Sequence, residues 1–409
     1  MNDLIKYKKT IPAFILIILM GSCTEHFEEL NTDPNFPTDV PPINIFTQVI
    51  INSVTEELGN HVFPCWSQQW CGAQLAGWDR YLIGSSYDLQ SKYATDLLDI
   101  EIIIRKTTEN IKDGSVQEIR QNTGLLAAAK IMRVWIFHFL TDMFGDIPYS
   151  EALQGLHVDG IITPRYDTQQ SIYMDLLQEL AEANTLLDNS IIGSNFGKGD
   201  LMFGGDPAKW KKFGNSLKLR ILNRCAGTPW SFTDQMVGTG EFTTNPGVAS
   251  FSDADIEIGT ILNDPTGYPI ISGNDDNVKL TYPGLPYRQP IFDRLYVRLD
   301  HIISETMVNW LRTRNDPRLP VFAQETQDYL NGVSTDPYVG EQNGRNQQSS
   351  DFPTISLLGV RIGYDETAPL YILTYDEIEF IKAEHYMRLG DESSARVAYE
   401  AGIIASMER

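Results

Sequence analysis

Apolar residues recur along this chain at helical spacing in several separate stretches, divided by long segments without a period. Ile43, Phe46, Ile50, Val54 and Leu58 fall three or four residues apart and predict a first helix. Leu97, Leu98, Ile102 and Arg105 fit a second. Gly124 to Leu140 (GLLAAAKIMRVWIFHFL) is apolar nearly all round, as a buried central helix would be, and Gly145 and Pro148 end it. Ile172, Leu176, Leu177, Leu180, Ala183 and Leu187 predict the next helix. Asp206-Pro207 supplies an N-cap and a proline at the first helical position, ahead of a stripe formed by Trp210, Phe213, Leu217 and Ile221. A further helix is expected around Ile302 to Leu311.

Near the end, Thr374-Tyr375-Asp376-Glu377 reads as a T-x-x-E capping box. It opens a helix that runs through Ile378, Ile381 and Met387 and stops at Gly390; Asp391 then caps a second helix with Ala395, Ala398 and Tyr399. Two helices joined by a Leu389-Gly390-Asp391 turn, with small residues on the packing face, are similar to one tetratricopeptide-type hairpin. The final residues carry no closing signal, so further C-terminal helices are expected beyond Arg409. The aperiodic segments fall at 24–42, a Pro- and Asn-rich linker or extended strap, at 59–90, at 227–295, a long loop-rich insertion with room for short strands, and at 331–368. The fold class expected is mainly α.

The first residues change the picture by giving the chain an address. Lys6, Lys8 and Lys9 precede a short apolar run, Ile11 to Met20, and then Gly21-Ser22-Cys23. A cationic head, an apolar core and small residues before a cut site make a secretory signal. The run is too short to span a bilayer as a helix, which takes about 20 residues. Cysteine directly after the small residues reads as the lipidation site of a bacterial lipoprotein, with an ordinary cut nearby and an incidental Cys23 as the alternative. The expected organisation is therefore a signal peptide over 1–22, a lipid-anchored strap over 23–42 and a folded domain over 43–409. After the signal no run is expected to cross a membrane, so attachment would be through acyl chains, each buried CH₂ adding about 0.8 kcal/mol.

Charge narrows the partners. The chain carries a formal −22, and residues 1–22 carry +2 (three Lys, one Asp), which leaves −24 on the remainder. That acidity excludes nucleic acid, whose phosphates need clustered Lys and Arg. Beyond Cys23 only Cys65, Cys71 and Cys225 remain, and a spacing of six between the first two suits neither a zinc knuckle nor a redox pair. Buried free thiols are expected, with one bridge open.

Catalytic patterns are thin. The chain has no HExxH, GxSxG or complete phosphate loop, and GSNFGKG at Gly193 lacks the Ser or Thr after Lys198. Asp142, Asp146 and Glu151 sit close in sequence, but a glycosidase pair is defined by separation across one bond. The simpler expectation is a turn shaped by Gly145 and Pro148, with Asp146 accepting backbone N–H groups. His138 reads as a core histidine, and Arg220 and Arg224 as partners of nearby carboxylates. Asn274-Asp275-Asp276-Asn277 offers oxygen ligands that suit Ca²⁺, or else a solvated turn. No catalytic residue and no obligate cofactor is expected.

Aromatics carry more. Trp66, Trp70, Trp78, Tyr81, Tyr87 and Tyr93 crowd one segment. In GWDRY, Trp78, Asp79, Arg80 and Tyr81 combine flat rings with hydrogen-bonding groups, the chemistry that covers a sugar's C–H face and takes its hydroxyls, and that also suits a peptide. Trp66 and Trp70, near helical spacing, read as packing of the first hairpin. Tyr282, Tyr287 and Arg288 in TYPGLPYR form a second candidate.

These residues come with six ordered motifs. FEELNTDPN (27–35), TDMFGDIPYSEAL (141–153), DPAKWKKFGNSLKLRILNR (206–224), NDPRLPVFA (315–323), YVGEQNG (338–344) and YILTYDEIEFIKAEHYMRLGD (371–391) come, in that order, after the lipoprotein-like start. Together they resemble the SusD/RagB group of outer-membrane lipoproteins, most closely its second SusD-like branch. The resemblance implies a right-handed superhelix of tetratricopeptide-like hairpins with a loop-rich, irregular ligand-facing insertion. It implies a non-enzymatic surface lipoprotein that binds an oligosaccharide, or in some members a peptide, and passes it to a SusC-like TonB-dependent transporter in the outer membrane. The acidic TEHFEE after Cys23 is similar to surface-export tags on such lipoproteins, which would face the protein outward. A surface glycan-degrading enzyme and a helical scaffold that contacts only protein are the rival classes.

Overall fold

Nine longer helices among the described residues carry the architecture, and most begin where the sequence supplies a cap or a proline. They are α1 (Pro42–Leu58), α2 (Asp96–Asp113), α3 (Val116–Phe144), α4 (Gln169–Asp188), α5 (Pro207–Cys225), α6 (Ser252–Asn263), α7 (Glu305–Thr313), α8 (Tyr375–Arg388) and α9 (Glu392–Glu408). The computed structural model describes residues 40–73, 77–82, 89–155, 160–191, 194–226, 228, 252–345 and 352–409. The signal segment, Cys23 and the FEELNTDPN strap therefore lie outside the described residues, as does Tyr87.

Successive helices pack on one another: α1 on α2, α2 on α3, α3 on α4, α4 on α5, α5 on α6 and α8, and α8 on α9. This is the mainly helical, tetratricopeptide-like arrangement expected. Ser115 opens α3 with a complete capping box, its Oγ accepting from the Glu118 N–H while Glu118 accepts from the Ser115 N–H at 2.9 Å. Ile131, Met132, Trp135 and Ile136 on α3 are sealed in the core with Phe46, Ile100, Leu176, Trp210 and Phe213. Full burial of each such side chain is worth roughly 1.5–3 kcal/mol. Contrary to the sequence expectation, α3 is long and apolar enough to cross a membrane by length and composition, but its apolar window is 83% buried within the protein.

Three two-stranded ribbons accompany the helices among the described residues. β1 (Trp70–Gly72) pairs antiparallel with β5 (His301–Ile303), β2 (Ile147–Pro148) with β3 (Tyr166–Asp167), and β4 (Val278–Leu280) with β6 (Leu370–Leu373). They correct several details. Ile302 and Ile303 do not start a helix: as β-branched residues they pair with β1, and Ser304 caps α7 by accepting from the Met307 N–H at 3.0 Å. Trp70 likewise lies in β1, whereas Trp66 closes a short helix, Val62–Trp66. The insertion at 227–295 contains β4 as expected but also α6. On α2 the buried face is Leu97, Ile100, Ile103 and Thr107; Leu98, Ile102 and Arg105 line an open cleft of about 330 Å³ beside Tyr149.

The α8–α9 hairpin has the expected turn and small-residue face, with a different start. Thr374 makes no capping bond; the Tyr375 N–H donates to Asn277 Oδ1 at 2.6 Å, from the segment that leads into β4. Glu377, which a capping box would use, is held by Arg220 at 2.6 and 2.7 Å. At Gly390 the backbone turns left-handed (φ +78°), and Asp391 accepts from the Ser394 N–H. Ala395, Ala398 and Gly402 face α8, where a Cβ at Gly402 would stand 2.9 Å from the Phe380 ring; Tyr399 is exposed.

Candidate functional site

The β1–β5 ribbon joins the first aromatic segment singled out in the sequence to residues 301–303. Its residues are buried along both strands, and His301 at the end of β5 faces a nest of rings. His61 and His301 lie 4.9 Å apart, Trp70 is 5.9 Å from His301, and Trp78 meets His61 edge-on at 5.0 Å. Asn60 positions this end of the chain by accepting from the Val62 N–H. Cys65 Sγ is 3.7 Å from His301 Nδ1. All three described cysteines are buried free thiols.

Trp78, Asp79 and Arg80 form a single 3₁₀ turn, and Tyr81 leaves it in the left-handed region (φ +57°). The turn is held from inside. Asp79 is buried, and its Oδ2 accepts from Cys71 Sγ at 3.0 Å, Gly72 N–H at 3.2 Å and Gly344 N–H at 3.4 Å. Asp79 thus fastens the turn to β1 and to the 338–344 motif instead of reaching solvent. Tyr81 stands out with 58% of its surface exposed, its ring stacked on Trp66 (6.2 Å, 27°) and its hydroxyl donating to the Trp66 carbonyl. Trp78 and Arg80 are half-buried.

The second candidate divides in the same way. Tyr282 is a core residue whose hydroxyl meets Thr55 at 2.9 Å. Tyr287 is exposed. Arg288 pairs with Glu366 at 2.8 Å and Asp293 at 3.3 Å, and lies over the Phe292 ring. Next to it, across the end of the segment expected to be loop-rich, residues 293–297 (DRLYV) wind as a π-turn, a form that recurs at functional sites. That turn presents Tyr296, 65% exposed, stacked on Phe292 at 5.0 Å and met edge-on by Tyr364 at 6.1 Å. Its signal in the sequence is only Phe292 and Tyr296 four apart where helical period is absent.

Electrostatics tie the π-turn to the ring nest. Burial, with Arg294 and Arg298 nearby, pushes His61 down to about 4; burial, His61 and the same arginines push His301 down to about 3. Both imidazoles are neutral when folded, while an unfolded histidine gains its proton near pH 6.5. The unfolded chain therefore binds more protons below pH 6.5, and stability falls as pH drops from 6.5 toward 4. Thermal unfolding followed from pH 7 to pH 5 is expected to show this decline, and a His61→Phe, His301→Phe double variant to flatten it. An unchanged slope in that variant would show that neither imidazole is held neutral.

The remaining candidates are accounted for structurally. Asp146 Oδ1 accepts from the Gln169 N–H and Glu151 from the Arg165 N–H. Asp142 takes the Tyr173 hydroxyl and pairs with Arg224 at 2.8 Å. Arg220 and Arg224 thus find carboxylates as expected, on other helices. Asp276 accepts from Lys212 at 2.7 Å through both oxygens, Asn274 Oδ1 accepts from Asn277 Nδ2 and Asn277 caps α8, so three of the four side chains offered to Ca²⁺ already have protein partners. His138 is buried and held well below its ordinary pKa by burial and by Arg220 and Arg224. Among the described residues no group of three His, Cys, Asp or Glu is placed to hold a metal ion.

A family model described as SusD-like, starch-binding and associating with the outer membrane matches residues 34–246 and 247–409. No curated protein matches the chain at a significant level. Solved structures similar in fold include an outer-membrane protein of Bacteroides vulgatus described as involved in nutrient binding (23% identity, TM-score 0.69, covering 90% of this chain and 74% of that one). A SusD homologue from Bacteroides fragilis is similar at 24% identity and a TM-score of 0.68, covering 90% and 73%. A chitin-binding protein is similar at 22% identity and a TM-score of 0.67, covering 89% and 74%.

Proposed function

This chain belongs to the SusD-like family of starch-binding proteins that associate with the outer membrane, and from that premise we propose that it captures an oligosaccharide on the aromatic face beside the β1–β5 ribbon and delivers it to a TonB-dependent transporter. The observation that carries this reading is the pair of pre-stacked, outward rings, Tyr81 on Trp66 and Tyr296 on Phe292. Each exposed ring is already fixed by the ring beneath it, so little side-chain entropy is lost when a sugar settles on it. Trp78, Arg80, Tyr287 and Arg288 lie in the same two segments and supply further rings and hydrogen-bond donors. The chitin-binding relative in fold favours a saccharide over a peptide.

Binding without bond cleavage is the role this chemistry supports. Asp142, Asp146, Glu151 and Asp79 each hold structural partners. Lipid on Cys23 would tether the protein at the cell surface with its binding face toward the exterior.

Isothermal titration against starch- and chitin-derived oligosaccharides and a peptide panel tests the reading. Tyr81→Ala and Tyr296→Ala are each expected to weaken saccharide binding about 30-fold, as loss of a buried aromatic contact worth about 2 kcal/mol does, with unfolding temperature unchanged. Saccharide binding indifferent to both would move the site elsewhere. Binding of peptides alone would replace the ligand class, and release of shortened sugars would restore the enzyme hypothesis. Co-purification of the intact lipoprotein with a transporter from membranes checks the partner.

A further inference from the structure

A second cleft, of about 510 Å³, opens where α3, α5 and α8 meet. Leu58, Phe139, Ile372 and Phe380 give it apolar walls, and its polar lining is unusual in being only partly satisfied. Asn223 donates through Nδ2 to Glu384 at 2.8 Å, which fixes its amide orientation and leaves Oδ1 buried without a partner. His138, 4% exposed, lines the same cleft with Nε2 unpartnered at 3.5 Å from Asp142 Oδ2, too far for a hydrogen bond. Both atoms are sealed behind the cleft wall, so an occupant meets the charged groups in front of them.

The surrounding charges restrict what can fill it. Arg220 is committed to Glu377 and the Ile372 carbonyl; Arg224, half-exposed, pairs with Asp142 through Nη2 and has further N–H groups to offer. With Glu384, the lining holds two cations and three carboxylates around a neutral imidazole. A net negative lining repels an anion. It accepts a neutral molecule that both donates, to Glu384, and accepts, from Arg224, while laying an apolar face on Phe139 or Phe380. Adjacent hydroxyls on a ring meet all of these demands, and the volume lies within the range of small-ligand pockets.

We propose that this cleft is a second, independent binding site for a neutral sugar unit, held by Arg224 and by Glu384, which Asn223 positions, between the Phe139 and Phe380 rings and in front of His138. It is built from different helices than the ribbon site, so it stands or falls separately from it.

The test is an NMR titration of the full chain with glucose, N-acetylglucosamine, maltose and galacturonate, following the His138 ring resonances. The neutral sugars are expected to shift them saturably. Asn223→Ala is expected to weaken that binding about tenfold, and Arg224→Ala, at a half-exposed position that leaves the core intact, to weaken it measurably. No saturable shift with any neutral sugar overturns the proposal and leaves the cleft to solvent. Binding unaffected by both variants overturns its location, and preference for galacturonate overturns its charge logic.

Discussion

Replacing Lys92 by Met is expected to destabilise the fold by about 3–5 kcal/mol, the range for removing one partner of a buried ion cluster. Lys92 lies in the short helix 89–94 with its side chain 2% exposed, and its Nζ meets Glu56 at 2.7 Å, Glu57 at 3.1 Å and Asp96 at 3.0 Å. Glu57 and Asp96 are fully buried, so the ammonium is what lets both remain charged. Burial alone would lower the ammonium's pKa, but Glu57 and Asp96 outweigh it and hold it above its ordinary value. Asp96 is already pushed up by burial against the opposing pull of Lys92. Without Lys92 the opposing pull on Asp96 is gone, and burial holds its carboxyl further above its unfolded pKa. A carboxylate raised in this way regains stability as pH falls toward its unfolded value. The deficit of the variant should therefore be largest at pH 7 and shrink toward pH 5, as urea unfolding at the two pH values would show. A loss below about 1 kcal/mol that does not vary with pH would mean that the cluster is solvated, as surface ion pairs are.

Asp200→Ala is expected to cost a similar amount, about 3–5 kcal/mol, by stranding four donors at once. Asp200 is buried; Oδ1 accepts from the Met202 and Phe203 N–H groups at 3.0 and 3.1 Å, and Oδ2 from the Gly205 N–H at 2.8 Å and Trp210 Nε1 at 2.7 Å. One carboxylate thus shapes the 200–206 turn and fixes the indole that anchors α5 against Phe46 and Phe203. Asp200→Asn keeps the two bonds on Oδ1 and sets an NH₂ against the other two donors, so it should fall between wild type and Ala. Trp210→Phe removes only the indole donor and some volume. In a double-mutant cycle with Asp200→Asn the two losses should not add, because they share one bond. Strict additivity in denaturant melts would show that the indole and the carboxylate act apart.

Lys92 and Asp200 also mark the limit of what was legible in the sequence. Trp210 and Phe213 could be placed in the core from helical spacing alone, and so could α1, α3, α4 and the α8–α9 turn, because each is a local pattern. Lys92 and Asp200 carry no period and no motif; their importance comes from partners supplied by other segments. The same limit explains the mismatches. Leu98 and Ile102 have helical spacing, but Leu97, Ile100 and Ile103 form the stripe that neighbouring helices cover. Thr374 has capping chemistry, yet Asn277 and Arg220 reach the helix start first from distant parts of the chain. In the candidate site, composition located both aromatic segments but could not sort inward from outward side chains. Asp79 and Tyr282 turned in, Tyr81 and Tyr287 turned out, and Tyr296 became visible only through the π-turn.

The β1–β5 ribbon also sets an order of assembly. Cys71 and Ile302, opposite each other in it, are about 230 residues apart. Closing a loop of that length costs on the order of 5 kcal/mol in chain entropy, more than two three-residue strands return. The ribbon can close only after the intervening helices have docked and shortened the distance between its ends. A chain that crosses a membrane from its N-terminus would expose Trp66, Trp70 and Trp78 throughout that interval. Of these rings Trp70 is the one that His301 covers, so it is the last to be shielded.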